Sequence, residues 1–314
     1  MTGFPSSVRF RHVVFADAAR QARQLIDFTP RMLVPPMSGC DGESTAAAGV
    51  DHADEAFLRW LFLRVGLDVR MYRMETLSRR LSACLRVLRC ANTHEARQLL
   101  SRGEPALISC AVSTLVIGVT SFFRDAGVFA RLDDEILPEL CGQGRRRGLR
   151  IWSIGCSDGQ ELYSIAMLLA ERRVLHACHL LGTDCRADAV GRMCQGVYDP
   201  SAVRAVPAEM LRRYFVPHHL GWQVVPGVRS AIHARVANAL SVSDESESCW
   251  DLIVCRNMAM YLQPDSATAL WRALTRALRI GGVLMLGKAE RPAGIKGLSY
   301  VGPCLYKREH ASDC

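Results

Sequence analysis

Two patterns of apolar spacing divide the chain. Between Asp51 and about Leu115, apolar residues recur at three- and four-residue steps, as Met74, Leu77, Leu81, Cys84 and Leu88 do. That spacing predicts helices, each with one buried stripe. From Leu149 onward, short apolar runs alternate with helical periods. Arg150–Ile154, Leu180–Thr183, Leu252–Cys255 and Val283–Leu286 read as strands. Within Asp265–Ile280, Ala267, Leu270, Leu274 and Leu278 share one helical face, and Gly281 supplies a stop. Strands alternating with helices predict an α/β fold whose mainly parallel sheet is covered on both faces. Between Val197 and Asn238 the alternation breaks. There "WQVVPGVRSAIHARV" reads as two strand-like runs around a Pro-Gly turn, so a small antiparallel β-subdomain is expected at about 197–238.

The expected organisation is therefore a tail over residues 1–50, an all-α N-terminal domain over 51–115 and an α/β domain over 116–314. The tail holds a basic amphipathic stretch, Val8–Phe28, followed by the Pro/Gly/Ser/Ala-rich "PPMSGCDGESTAAAGV", which reads as a linker. The uncharged run Ala106–Phe123 approaches the length of a membrane span. Ser109, Ser113, Thr114, Thr120 and Ser121 dilute it and Arg124 with Asp125 end it, so it reads as a buried helix entering a polar loop.

Charge narrows the partners without choosing one. Lys+Arg number 39 against 31 Asp+Glu, a net charge of +8. Such a chain associates with acidic surfaces of any kind. The excess is dense in the helical segment, where Arg79, Arg80 and Arg86 are expected to bind an acidic substrate protein. The cysteines number 13, none spaced C-x-x-C, and the N-terminus lacks an apolar leader. A reduced, cytoplasmic chain is expected. His176 and His179 near Cys178 and Cys185 lack a second ligand pair, so no metal site is expected.

The chemistry is concentrated in "LRIWSIGCSDGQELYSIAM", Leu149 to Met167, where a strand runs through a turn bounded by Gly155 and Gly159 into a helix. A pyrophosphate would sit at the positive end of that helix. Asp158 and Glu161 would repel it, and the G-x-G-x-x-G fingerprint is absent. A ligand with ribose hydroxyls and a cationic centre but no phosphate fits instead, and S-adenosylmethionine is such a ligand. Asp184, closing the strand in "LLGTD", is placed to receive the ribose hydroxyls. A tight turn with a capping acid is the plainer alternative.

"TSFFRD", "IWSIGCSDGQELYSIAM", "GTDCRADAV", "LRRYF", "DLIVCRNMAMYL", "LRIGGVLMLGKAE" and "VGPCLYK" occur in this order. The order and wording resemble the CheR family, the chemotaxis-receptor protein-glutamate O-methyltransferases, from about Asp51 to Lys307. The resemblance implies a helical N-terminal domain, a linker that contributes to the cofactor site, and a Rossmann-like S-adenosylmethionine-dependent methyltransferase domain carrying a β-subdomain. It implies cofactor contacts from Gly118, Thr120, Arg124, Gly155, Glu161, Asp184, Asn238, Ala239, Arg256 and Asn257, and a catalytic, carboxylate-orienting role for Arg124 and Tyr261. The departures are Gly118 for a common Asn, Gln160 and Leu162 around Glu161, "GKAE" for G-H-S-E, and Leu262 after Tyr261.

The implied activity is esterification of glutamates on the cytoplasmic region of a chemoreceptor by a monomer, with S-adenosylhomocysteine as product and neither nucleic-acid binding nor membrane insertion. The rivals are the same fold acting on another signalling protein or a small carboxylate, and a cofactor-sensing regulator without activity. Nucleic-acid methylation is disfavoured because "CRNM" stands where amino-methylating enzymes carry D/N-P-P-Y/F.

Overall fold

Alternation along the central strands decides which layers cover them. In β7 (Trp250–Cys255), Leu252 and Val254 enter one apolar cluster while Ile253 and Cys255 enter another. β8 (Leu278–Leu286) repeats this, with Val283 and Met285 on one side and Leu284 and Leu286 on the other. Strands that are apolar on both faces need a layer on each. The computed structural model, which describes residues 51–116, 118, 120–142, 148–241 and 249–309, supplies both. The tail expected over residues 1–50 lies outside the described residues.

Among the described residues the main sheet has seven strands, in the order β6-β2-β1-β7-β8-β10-β9. β1 (Arg150–Ile154) pairs in parallel with β2 (His179–Asp184) on one side and β7 on the other. β6 (Ile232–Val236) extends the parallel set beyond β2, and β8 extends it beyond β7. β10 (Leu305–Arg308) and β9 (Leu298–Gly302) close that edge in antiparallel fashion. The chain leaves β1 in one direction across the sheet and later returns to β7 on its other side. The crevice at the carboxyl ends of β1 and β7 is thus the topological switch point, where open α/β sheets bind ligands.

One face is covered by the helices Gln160–Glu171 and Leu137–Gly142, through residues such as Leu162, Ile165, Leu169, Leu137 and Leu140. The opposite face takes the helix Pro264–Ala277. The helices His52–Leu63, Met74–Leu88, Thr93–Ser101 and Pro105–Leu115 join that second cluster. Leu77, Leu81, Cys84 and Leu88 form the buried stripe that their spacing predicts. The division at residue 115 marks a change of sequence pattern, but Phe57, Phe62 and Leu115 belong to the same cluster as Trp152 and Ile253.

Two expectations are corrected. The small antiparallel sheet exists, in the order β3-β5-β4, built from Val197–Tyr198, Gly221–Val224 and Phe215–His218. The second run of "WQVVPGVRSAIHARV" does not return to it. Pro226 opens a helical turn, Pro226–Arg229, instead of a hairpin. β6 then runs parallel to β2, with Leu180 opposite Ile232 and Asp184 opposite Val236. The predicted helix Asp265–Ile280 also stops short, at Ala277. Leu278 is extended and pairs with Trp250, and Gly281, at φ 74°, sits in an irregularity within β8 rather than behind a helix.

Candidate functional site

The turn after β1 is folded by three left-handed residues: Gly155 (φ 64°), Ser157 (φ 52°) and Gly159 (φ 87°). A side chain at Gly159 would strike Met193, so the turn passes close to the Ala187–Gln195 helix. Ser157 ties the turn to its surroundings. Its N–H donates to Asp184 Oδ2 at 2.9 Å and its hydroxyl donates to the Gly118 carbonyl at 2.6 Å. The two acids read from the turn separate. Glu161 faces the pocket, whereas Asp158 pairs with Arg192, whose Nε donates to Asp158 Oδ1 at 3.0 Å.

Behind the turn lies a buried polar cluster. Arg256, directly after β7, has a side chain only 1% exposed. Its Nη1 donates to Glu161 Oε2 at 2.8 Å, and its Nη2 pairs with Asp125. Lys288 Nζ reaches the other Asp125 oxygen at 2.8 Å. Burial pushes the Glu161 carboxyl above its ordinary value, and Arg256 offsets this only in part. For Asp125 burial acts in the same direction, but the hydrogen bond from Lys288 and the charges of Arg256 and Lys288 outweigh it and hold the carboxyl low.

Asn257 occupies a left-handed conformation (φ 57°), and Glu290 fixes it there. Glu290, 2% exposed, accepts four backbone N–H groups: Asn257 at 2.9 Å, Met258 at 2.9 Å, Ala259 at 2.8 Å and Gly287 at 2.7 Å. Gly287 is required because a Cβ there would meet Asn257 and Glu290 itself. The N-terminal segment secures the next residues. Arg73 N–H donates to the Tyr261 carbonyl at 2.9 Å, Arg73 Nε donates to the Leu262 carbonyl at 3.0 Å, and Gln263 N–H donates to the Met71 carbonyl at 2.8 Å.

These elements enclose one pocket. Gly118, Thr120, Arg124, Gly155, Glu161, Asp184, Asn238, Ala239, Arg256, Asn257 and Tyr261, all named from the sequence, line it together. Tyr72, Thr76 and Leu77 of the N-terminal segment complete the wall. The three arginines assigned to substrate binding lie elsewhere. Arg79 and Arg86 are exposed, while Arg80 is partly buried and donates to the Thr114 carbonyl at 3.0 Å. Sequence reading missed Arg186, Asp125 and Glu290. "GTDCRADAV", "TSFFRD" and "GKAE" contain them, but nothing in local spacing shows that these side chains turn toward the pocket or brace it.

The lining suits S-adenosylmethionine. Asn257 Oδ1 is buried without a hydrogen-bond partner among the described residues, which leaves an acceptor for an ammonium group. Glu161 and Asp184 are carboxylates in the same pocket, and Glu161 stands in the first turn of the helix whose N-terminus would otherwise attract a phosphate.

Comparison with known proteins agrees with this chemistry. Residues 118–300 match the family described as CheR methyltransferase, SAM binding domain. The chain is 28% identical to the chemotaxis protein methyltransferase of Listeria monocytogenes, over 75% of this chain and 88% of that protein. It is 29% identical to chemotaxis protein methyltransferase 1 of Pseudomonas aeruginosa, over 78% of this chain and 91% of that one. With the chemotaxis protein methyltransferase Cher2 of Pseudomonas putida it shares 31% identity, over 59% and 70% respectively.

Proposed function

The chain belongs to the CheR methyltransferase family, and on that premise we propose that it esterifies glutamate side chains on the cytoplasmic helical region of a chemoreceptor. The observation that carries this reading is the meeting of two clefts at Arg124, Asn257 and Tyr261. The inner cleft is the cofactor pocket. The outer one opens over Asp125, Met260 and Lys288, and its charged groups, Arg124 and Lys288 against Asp125, leave a net positive charge that suits a carboxylate entering from outside.

When bound, S-adenosylmethionine supplies an electrophilic methyl group on a sulfonium, and its transfer leaves S-adenosylhomocysteine and a methyl ester. Asp184 receives the ribose hydroxyls, and Asn238 with Ala239 flanks the adenine. Glu161 and Asn257 take the amino-acid end, with Arg256 holding Glu161 in place. A glutamate carboxyl ionises near pH ~4.3, so it is already a nucleophile at neutral pH and no general base is needed. Arg124 and Tyr261 orient that carboxylate. Orientation together with exclusion of water contributes about 7–11 kcal/mol to such a displacement in favourable cases.

Arg79 and Arg86, exposed on the Met74–Leu88 helix, serve as docking points for the acidic receptor. Among the described residues no helix is long and apolar enough to cross a membrane. The working location is the cytoplasm, where the receptor presents this region, and the working form is a monomer. The test is transfer of labelled methyl from S-adenosylmethionine to receptor cytoplasmic fragments, followed by mild base. Volatile label released from the fragments supports the reading. Label taken up only by small carboxylic acids overturns it.

A further inference from the structure

Asp184, assigned above to the ribose hydroxyls, has no acceptor position left. Its Oδ1 accepts from the Arg186 backbone N–H at 3.0 Å and from Arg186 Nε at 2.9 Å. Its Oδ2 accepts from Arg186 Nη2 at 3.1 Å and from the Ser157 N–H at 2.9 Å. A carboxylate offers about four lone-pair sites, and all are taken. The side chains of Arg186 and Asp184 are 6% and 5% exposed, so water does not compete for the pair.

The pairing has a specific shape. The two backbone donors hold one site on each oxygen and would keep Asp184 oriented by themselves. The guanidinium fork takes the remaining site on each oxygen. A vicinal ribose diol needs that same pair of sites, one per oxygen.

Two further features bear on the arrangement. Arg186 immediately precedes the Ala187–Gln195 helix, so a cation sits at the positive end of a helix dipole, where it is disfavoured. The ion pair with Asp184 compensates for that placement. The guanidinium also lies against Gly118, where a Cβ would fall on top of its Cζ and both terminal nitrogens. Glycine at 118 makes the space that Arg186 fills, and both residues line the cofactor pocket.

We propose that Arg186 is a latch on the ribose acceptor: its fork and the bound ribose exclude one another on Asp184, so Arg186 sets the affinity for the cofactor. The proposal rests on the reading of Asp184 as the ribose residue. Binding then draws on the fraction of molecules in which the fork has swung away. A latch open in about a tenth of the population weakens apparent affinity about tenfold.

The test is calorimetric titration of the full chain with S-adenosylhomocysteine, adenosine and 2′,3′-dideoxyadenosine. Arg186→Ala is expected to bind S-adenosylhomocysteine about tenfold more tightly than the parent, and to raise the preference for adenosine over the dideoxy analogue by a similar factor. Arg186→Gln, which keeps most of the buried chain but neither the charge nor the fork, repeats the measurement should the alanine variant fail to fold. Weaker or unchanged S-adenosylhomocysteine binding in a folded Arg186 variant overturns the latch and makes Arg186 a support for Asp184. Asp184→Ala separates the two claims: if it keeps the parent's preference for adenosine over the dideoxy analogue, the ribose assignment itself fails.

Discussion

Arg256 donates to Glu161 at 2.8 Å across a sequence separation of 95 residues, joining the end of β7 to the helix that follows β1. Its other terminal nitrogen holds Asp125 from the segment that precedes the sheet. One buried guanidinium therefore pairs with two carboxylates and ties three segments together around the pocket.

Replacing it should be costly. Arg256→Met would remove the partner that Glu161 and Asp125 share, leaving Arg124 and Lys288 as the nearby compensating charges. Removing one partner of a buried ion pair costs about 3–5 kcal/mol. Equilibrium denaturation should show a loss of that order, and S-adenosylhomocysteine binding should fall with it.

Acidification should act through Glu161. Its carboxyl is raised by burial, with Arg256 offsetting only part, so it protonates at a higher pH than an exposed glutamate. The ionised form attracts the cofactor's amino cation and the neutral form does not. Affinity for S-adenosylhomocysteine should be level above this raised value and fall as pH drops through it, and Glu161→Gln should lose that limb. Calorimetry across the acidic range checks both.

Glu290 holds the loop that presents Asn257. Hydrogen bonds to charged groups are worth about 1.5–3 kcal/mol each, and Glu290 makes four of them to backbone N–H groups. Glu290→Ala should therefore lower the melting temperature and cut turnover at least tenfold, although the side chain does not line the pocket. Glu290→Gln, which keeps one acceptor oxygen, should recover part of both.

Arg124 and Tyr261 should separate binding from chemistry. Arg124→Ala and Tyr261→Phe are expected to lower kcat on a receptor fragment by ten- to a hundredfold. Tyr261→Phe should leave S-adenosylhomocysteine affinity within about twofold of the parent. Unchanged turnover in both variants would remove these residues from the reaction.

Docking should respond to salt. Screening shortens the reach of exposed charges to ~8 Å at physiological ionic strength and ~3 Å at 1 M. Capture of a receptor fragment should weaken steeply between low and high salt, and Arg79→Glu with Arg86→Glu should mimic high salt while leaving S-adenosylhomocysteine binding intact.

The strands and the pocket-lining residues were legible because their signals are local. The apolar runs of β1, β2, β7 and β8 stand out by composition, and Asp184 closes a strand while Arg256 and Asn257 follow one, at the ends where α/β folds place ligands. What was hidden depends on partners distant in sequence or on side chains that turn back. β6 joins β2 by a parallel pairing that no turn signal announces, and the Pro264–Ala277 helix yields Leu278 to the sheet because Trp250 pairs with it. Glu290 braces Asn257 from 33 residues away. The Arg186 guanidinium returns to Asp184 only two residues back, but local sequence gives no sign of that rotamer.

The most direct test of the central claim is peptide mapping by mass spectrometry of a receptor cytoplasmic fragment after incubation with the protein and S-adenosylmethionine. The account predicts methyl groups on glutamates of its helical region, lost on mild alkaline treatment and formed ten- to a hundredfold more slowly by the Tyr261→Phe protein. Methylation confined to lysine, arginine or nucleobases, or glutamate methyl esters formed equally well by the Tyr261→Phe protein, would contradict it.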